Sequence, residues 1–579
     1  MCGIFGYIGS RRDATSAVFE GLKRLDYRGY DSWGVAVLQN KKILLDKHTG
    51  TVNKKLSKLP KSSISVGHTR WATHGSVTDT NAHPHFSSDG SFVLAQNGIM
   101  ENYSSVKQNL FQKNYKFISQ TDTEVIVRLI EEELKKEKDI IKATRSAFNK
   151  LKGRNTVIIL TKDGQIIAVR NGSPLVLGFS KDKKEFYFSS DTLSFSPYVE
   201  KTITLDNGQM AIYSKNMLTI KNVKTGKNLP LLKVKNGITQ KNEGKGKFNH
   251  FMIKEIFDQP SAIEEVIKQD KRKLEKLSKL IKKSKNVYCM GSGTAGAAAF
   301  QMAYYLRTYA GVNAIGLIGA ECTEYLPLFS KEDLIIAPSQ SGETADVLEI
   351  LEMAKKKGVK VASYVNMPGS LITKISDISF MANAGAEICV MSTKVFISQI
   401  AFGYLVAKNT QEKYDQGVIN LKILAKEMRK VLNNKDFLSQ IKKIAKKLSK
   451  KKHIFLLGKG QNLQIIKEGM VKIIEGSYVH AHAIPAGDLK HYAITLMEAG
   501  VPIIPVVSND AVSGDVENAI NEIKARGAEI IKLPKLPDTG EVSAILNTVP
   551  LQLIAYYMAV YLKNNVDKPR NIAKSVTVK

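Results

Sequence analysis

What most limits how this chain can fold is a pattern that occurs twice in its second half. An apolar run at 286–290 leads into Gly291-Ser292-Gly293-Thr294-Ala295-Gly296 and an Ala-rich helix. Another at 334–337 leads into Ser339-Gln340-Ser341-Gly342-Glu343-Thr344, a helix to Lys357 and a strand over 359–365. The order then returns. A run at 454–457 precedes Gly458-Lys459-Gly460, and one at 501–507 precedes Ser508-Asn509-Asp510, a helix and a strand at 529–533. The spacing from Gly291 to Gly458 agrees within a few residues with that from Gly358 to Gly527. Such agreement predicts a duplicated α/β domain, and strand–helix alternation implies parallel sheets with ligands at the carboxyl ends of the strands.

Residues 1–235 read differently. Helical patterns at 14–25 and 122–135 are set among short strands at 3–8, 34–38, 92–96 and 155–161, which predicts an α+β domain. The polar, Gly- and Lys-bearing stretch 236–249 is expected to be a linker, with α/β domains at 250–425 and 426–579. A chain of 579 residues, 43% of them hydrophobic, has room for three or four cores.

The first residues, Met1-Cys2-Gly3-Ile4-Phe5-Gly6, admit two readings. Cys2 is either a small apolar residue leading a buried strand or, once Met1 is removed, a thiol beside a free α-amine. An amine with a pKa of about 7.7–8.0 can activate a thiol nucleophile without a separate histidine.

Other classes of function are excluded or weakened. The net charge of +31 comes mostly from lysines spread along the chain, as on 268–285 and 442–452, with no recognition motif or basic-aromatic patch. It favours attraction of anionic substrates over nucleic-acid binding. Four separated cysteines, with no CxxC and no HExxH, point to a reducing compartment and no metal site, and the pairs His83/His85 and His480/His482 do not alter this. No signal peptide is expected, and 549–562 reads as a buried helix, too short and too polar for a membrane span.

Gly291-x-Gly293-x-x-Gly296, with Glu321 further on, matches a dinucleotide fingerprint, which is weak by itself. The competing loop 339–344 offers hydroxyls and backbone N–H groups at a helix N-terminus, an arrangement suited to one phosphate. Glu468, Lys472 and Glu475 share one helix face. Spacing alone fits either a solvent-facing ion ladder or carboxylates and an ammonium converging on a substrate.

With these motifs in hand, the chain resembles the glutamine–fructose-6-phosphate aminotransferase family over nearly its full length. The first half resembles class II, N-terminal-nucleophile (Ntn) glutamine amidotransferases through Cys2-Gly3-Ile4, Asp26-Tyr27-Arg28-Gly29-Tyr30-Asp31-Ser32, Gly67-His68-Thr69-Arg70-Trp71-Ala72-Thr73-His74-Gly75, Asn81-Ala82-His83-Pro84-His85, Asn97-Gly98 and Thr121-Asp122-Thr123-Glu124. The second half resembles paired sugar-isomerase (SIS) domains through 339–346, Glu387, Ser392-Thr393-Lys394, Glu468-Gly469 and the tail 568–578. The resemblance implies a multidomain chain, an α+β Ntn glutaminase domain followed by two flavodoxin-like α/β SIS domains.

It also implies roles. Cys2 would attack the glutamine amide and release ammonia, with Asn97 and the Gly98 N–H holding the oxyanion. Arg70 would grip the glutamine carboxylate and Asp122 its ammonium. Thr73, His74 and His83 would complete that pocket, and Trp71 resembles the family's gate on an ammonia channel. Ser339, Gln340, Ser341 and Thr344 would bind a sugar phosphate, with Thr294, Ser392, Glu468 and Ala573 also lining the sugar site. Lys574 resembles the lysine that forms a Schiff base with the open-chain ketose. His491 would open the ring, Glu475 would move the proton between C1 and C2, and Lys472 would stabilise negative charge. The resemblance further implies fructose 6-phosphate and glutamine as substrates, a cytoplasmic homodimer, no cofactor or metal, and no nucleic-acid or membrane partner.

Three positions depart from the family pattern. Ala295 replaces a hydroxyl in the first loop, Tyr492-Ala493 replaces Gly-Pro after His491, and Trp33 replaces a small residue. Losing one charge-assisted phosphate hydrogen bond costs about 1.5–3 kcal/mol. Another class II amidotransferase, such as one with a phosphoribosyl acceptor, has no use for the lysine tail. A non-catalytic sugar-phosphate sensor has no use for Cys2, Glu475 and Lys574 together.

Overall fold

The computed structural model describes residues 2–10, 12–52, 58–182, 184–231, 234–235 and 244–576. Met1 and residues 236–243 of the expected linker lie outside the described residues. The chain divides into two compact units, Met1–Asn242 with Ser575–Lys579, and Glu243–Lys574.

The first unit holds two antiparallel sheets. The larger runs Val234–Lys235, Lys201–Thr204, Val176–Phe179, Phe186–Ser189, Gly3–Ile8, Ile64–Arg70, Ser32–Gln39 and Lys42–Thr49. The other runs Asn228–Leu229, Met217–Asn222, Gln209–Ser214, Ile166–Asn171, Asn155–Thr161, Phe92–Gly98 and His85–Phe86. Gly3–Ile8 is an interior strand whose side chains alternate between two cores. Ile4 and Ile8 meet Val93, Ala95 and Ile158 of the facing sheet. Phe5 and Tyr7 meet Val18 and Leu22 of the helix Ala14–Leu25. On the far side, helices Asp122–Glu137 and Ile140–Phe148 cover the second sheet. Both faces of each sheet are therefore covered, and Gly3–Ile8 is buried at every position. This explains why its sequence is apolar throughout and lacks the polar alternation of a half-solvated antiparallel strand.

The second unit holds two parallel sheets. The first runs Ala314–Ile318, Val287–Gly291, Leu334–Ser339, Lys360–Val365 and Ile378–Met381. The second runs His480–Pro485, His453–Gly458, Pro502–Pro505 and Glu529–Ile530. In chain order both read 2-1-3-4, and the first adds a fifth strand, the flavodoxin-like arrangement whose ligand crevice opens between strands 1 and 3. The loops singled out in the sequence leave these two strands in each half. One apolar core joins the halves, with Ile336 and Phe402 from one and Leu456, Ile466 and Leu553 from the other. The apolar stretch near the C-terminus is the helix Ser543–Tyr561. Gly540–Tyr561 is long and apolar enough to cross a membrane, but 94% of its apolar window is buried in the protein. The Lys-rich helix Lys271–Lys283 buries Leu274, Leu277 and Ile281 and leaves its lysines outward.

Candidate active sites

In the first unit the site is built where strands end. Cys2 immediately precedes Gly3–Ile8, and its Sγ accepts the Trp71 N–H at 3.3 Å. Burial pushes the thiol pKa up, against the lowering effects of that N–H and of Arg70. The Arg28 Nε donates to the Cys2 carbonyl at 3.3 Å, and its guanidinium pairs with Asp191 at 3.2 Å. Asn97 is the penultimate residue of the strand Phe92–Gly98. Its Oδ1 lies 3.1 Å from His68 Nε2, which also lies 2.8 Å from the Gln96 carbonyl. Burial drives the His68 pKa down to about 3, so the ring is neutral and its Nε2–H serves both oxygens. The Asn97 Nδ2 is left buried with no partner among the described residues, the kind of donor that an oxyanion hole uses. Gly98 follows at φ +132°, and a Cβ there would lie 1.9 Å from the Arg154 carbonyl, so only glycine fits.

Arg70 ends the strand Ile64–Arg70 and is buried. Its guanidinium donates to the carbonyls of His74, Gly75 (3.4 Å) and Ser76 (3.3 Å), which fix it without neutralising it. Asp122 opens its helix and accepts the Met100 N–H at 2.8 Å, and burial raises its pKa. Trp71 and His74 are half-buried and Thr73 is exposed. His83 is buried behind His68, with ring centroids 4.4 Å apart and Nε2 3.0 Å from Thr123 Oγ1. Its pKa is pushed well down by burial. Trp33, one of the departures, is buried against Phe19 and His48.

In the second unit Glu468 and Lys472 are both 0% exposed, so the helix face they share with Glu475 is an internal wall and not a solvent ladder. Lys472 Nζ lies 3.3 Å from Glu468 and 2.5 Å from Glu475. Thr294, from the first half, bonds both Glu468 (3.2 Å) and Lys472 (3.1 Å), so the cluster needs both halves. Burial raises the Glu468 pKa to about 7. Burial alone would depress Lys472, yet its two carboxylates hold it charged.

Lys574 lies in a second ionic nest. Its Nζ donates to Glu387 at 2.6 Å and to the Cys389 carbonyl at 2.7 Å, and its side chain is nearly buried. Glu387 also accepts the N–H groups of Thr393 (2.9 Å) and Val395 (3.1 Å) at the start of the helix Lys394–Thr410. Ser392 and Ala573, beside these groups in sequence, are half-buried. The tail is tied down further by Val390 N–H to the Asp567 carbonyl at 3.0 Å, and by Arg570 N–H to the Tyr478 hydroxyl at 2.8 Å. In the loop 339–344, Ser339 Oγ takes the Gly342 N–H at 2.9 Å and Ser341 Oγ takes the Glu343 N–H at 3.1 Å. Gln340 and Thr344 are half-buried, and Thr344 makes no side-chain cap to the helix Ala345–Lys356 that follows.

His491 ends the short 3-10 helix Ala486–His491 and is exposed, and its side chain makes no hydrogen bond or ion pair among the described residues; neighbouring Tyr492 is exposed too. The hydroxyl of Ser292, in the first loop, is buried without a partner among the described residues. Two groups escaped the sequence reading. Glu255 contacts the 387–389 segment from a position far away in sequence, and Asp191 orients Arg28. Neither belongs to a local pattern that would have marked it.

Comparison with known proteins fits this division. A glutamine amidotransferase domain model matches residues 68–196, and a SIS domain model matches 280–408 and 447–539. Relatives named glutamine–fructose-6-phosphate aminotransferase (isomerizing) include one from Pyrococcus horikoshii, 37% identical over 604 residues. Another is from Thermococcus kodakarensis, 37% identical over 606 residues; both alignments cover 100% of each chain. The solved C-terminal domain of glucosamine-fructose-6-phosphate aminotransferase from Francisella tularensis is 30% identical, covers 56% of this chain and 99% of its own, and has a TM-score of 0.49. With identity of this level running end to end through both kinds of domain, the chain belongs to the glutamine–fructose-6-phosphate aminotransferase (isomerizing) family of enzymes.

Proposed function

We propose that this enzyme makes glucosamine 6-phosphate and glutamate from fructose 6-phosphate and glutamine. The observation that carries the reading is a nearly buried lysine, Lys574, held by Glu387 and the Cys389 carbonyl, in the same chain as a Cys2 thiol held by the Trp71 N–H and an Asn97 whose Nδ2 has no partner among the described residues. Cys2 attacks the glutamine amide and expels ammonia, and Asn97 Nδ2 with the Gly98 N–H bears the oxyanion. Arg70 and Asp122 hold the amino-acid end of glutamine, with Trp71, Thr73, His74 and His83 around them. Ser339, Gln340, Ser341 and Thr344 take the sugar phosphate at a helix N-terminus.

Lys574 condenses with the ketose carbonyl and loses water. Ammonia from Cys2 then displaces the lysine, and Glu475 carries the proton from C1 to C2 beside Lys472. His491 assists ring opening, while Thr294, Ser392, Glu468 and Ala573 line the sugar site. The domain limits 1–235, 250–425 and 426–579, a homodimeric state, a cytoplasmic setting, and the absence of nucleic-acid and membrane partners belong to the same reading. The assigned chemistry calls on no cofactor. Glutamine labelled with nitrogen-15 at its amide tests it directly. Product mass spectrometry should find the label in glucosamine 6-phosphate, and Cys2→Ala should stop this transfer while leaving fructose 6-phosphate isomerisation. Label confined to free ammonia would defeat the proposal, and so would a fully active protein that keeps Met1.

A further inference from the structure

Lys574 must meet two opposed demands if it acts as proposed. Its ammonium has to be held in place, yet it must lose a proton before its nitrogen can attack a carbonyl. The two oxygens that hold it, Glu387 Oε2 and the Cys389 carbonyl, come from one irregular segment, 387–389. No strand or helix fixes that segment. The Glu387 side chain is held by the N–H groups of Thr393 and Val395, and the backbone N–H groups at 388 and 389 are held by Glu255, on the helix Phe251–Phe257. Its Oε1 accepts the N–H of Ile388 at 2.5 Å and the N–H of Cys389 at 3.2 Å. Glu255 is 1% exposed. Helix and tail are tied nearby as well, through Met252 N–H to Asp567 at 3.0 Å.

We infer that Glu255 is a positioning residue for the Schiff-base lysine, fixing the 387–389 clamp that orients Lys574 Nζ. The inference rests on the proposed role of Lys574. The charged and titratable groups facing Glu255 are Glu387, Cys389, Lys394 and Lys574, with Asp258 beyond Lys394. Its second oxygen, Oε2, is buried with no partner among the described residues, which a protonated carboxyl tolerates far better than a carboxylate does. Burial, and next the charge of Glu387, push its pKa up to about 8. A neutral Glu255 leaves Glu387 as the one anion against Lys574. Glu387 Oε2 can then take one Nζ proton in passing, the freed lone pair forms the C–N bond, and that proton and a second from Nζ reach the carbonyl oxygen, whose C–O bond breaks as water leaves and the protonated imine remains. Once ionised, Glu255 adds a second buried negative charge, which holds the ammonium protonated and slows the attack.

Borohydride trapping of the full-length enzyme with fructose 6-phosphate, read by peptide mass, tests both levels. No sugar adduct on wild-type Lys574 would end the Lys574 reading, and this inference with it. Given a wild-type adduct, Glu255→Ala should slow trapping about tenfold or more, since small misplacements of a reacting group are costly. Glu255→Gln keeps an oxygen for both N–H groups and cannot ionise, so it should trap at close to the wild-type rate at pH 7. The ratio of Glu255→Gln to wild-type trapping should then rise through about pH 8. That ratio keeps the test decisive even if Glu255→Ala does not fold, because a purely structural role would leave it flat. A flat ratio, or wild-type trapping by a folded Glu255→Ala, overturns the inference.

Discussion

The two duplicated halves of the second unit keep one topology and have parted in chemistry. Each places a helix after its first strand, Thr294–Ala310 in one and Leu463–Ser477 in the other. Counted from the matched glycines Gly291 and Gly458, Gln301 and Tyr305 stand where Glu468 and Lys472 stand. All four are buried. In the first half the pair is neutral, and neither the Gln301 amide nor the Tyr305 hydroxyl has a hydrogen bond of normal geometry among the described residues. In the second it is ionisable, with Lys472 held charged and the Glu468 pKa raised by burial, and it is completed by Glu475 and Thr294.

The loops after the third strands differ in the opposite sense. In the second half Ser508 Oγ accepts from Asn462 (2.9 Å) and Asn547 (3.0 Å), and Asp510 accepts from Gln461 (2.8 Å), so its polar atoms are paired inside the protein. In the first half the Ser339 and Ser341 hydroxyls shape a turn whose N–H groups and uncapped Thr344 sit at a helix start. One half thus has hydroxyls and backbone N–H groups at a helix start, and the other has carboxylates and an ammonium on a buried helix face, which the proposed function uses as phosphate cradle and acid–base groups.

The sharpest way to break this contrast is Lys472→Met. It leaves Glu468 buried beside Glu475 without a cation, which should cost about 3–5 kcal/mol in urea denaturation followed by circular dichroism. Fructose 6-phosphate isomerisation should fall about a hundredfold or more, with glutamine hydrolysis at Cys2 retained. An isomerase with normal rates would remove Lys472 from the mechanism.

The loops provide a crossed test. Ser339→Ala or Thr344→Ala should raise the KM for fructose 6-phosphate by about 1.5–3 kcal/mol in equivalent binding energy, the worth of a hydrogen bond to a charged group. Ser508→Ala should leave that KM unchanged and destabilise by about 1–2 kcal/mol, because Asn462 and Asn547 lose their acceptor. Reversed outcomes would mean that the cradle has been assigned to the wrong half.

Glu468→Gln gives the second half the residue its counterpart already has, and its signature is a pH dependence. Because burial raises the Glu468 pKa, the folded state binds its proton more tightly than the unfolded state does. Wild-type stability from this group is full below about pH 4.5 and is lost as pH rises through about 7. Thermal scans across that window should show the slope in wild type and not in Glu468→Gln. The smallest effect is expected at Gln301→Leu, which removes an amide with no hydrogen bond of normal geometry among the described residues and should change stability by less than about 1 kcal/mol, in the stabilising direction.

Much of this organisation can be read locally. Strand ends, the glycines after them and the polar loop before Ala345 follow from short-range preferences, and the helices at Ala14–Leu25 and Asp122–Glu137 fall within a turn of where periodicity puts them. The proposed nucleophile, the proposed oxyanion pair Asn97-Gly98 and the lysine tail are carried by motifs written in contiguous residues. The burial of Gly3–Ile8 was legible as an apolar run, but not the fact that one face meets a helix and the other a second sheet.

The sequence by itself determined the duplicated grammar, the residue types of both candidate sites and their membership of one family. Only the tertiary structure decided what each polar residue faces. Thr294 meets Glu468 from 174 positions away, and Glu387 meets Lys574 from 187. Glu255 reaches the backbone at 388 and 389 across more than a hundred residues. Whether the Glu468–Lys472–Glu475 face was a solvated ladder or an internal wall depended on the neighbouring half that covers it. Burial is set by what packs against a surface, and helical spacing carries no record of that.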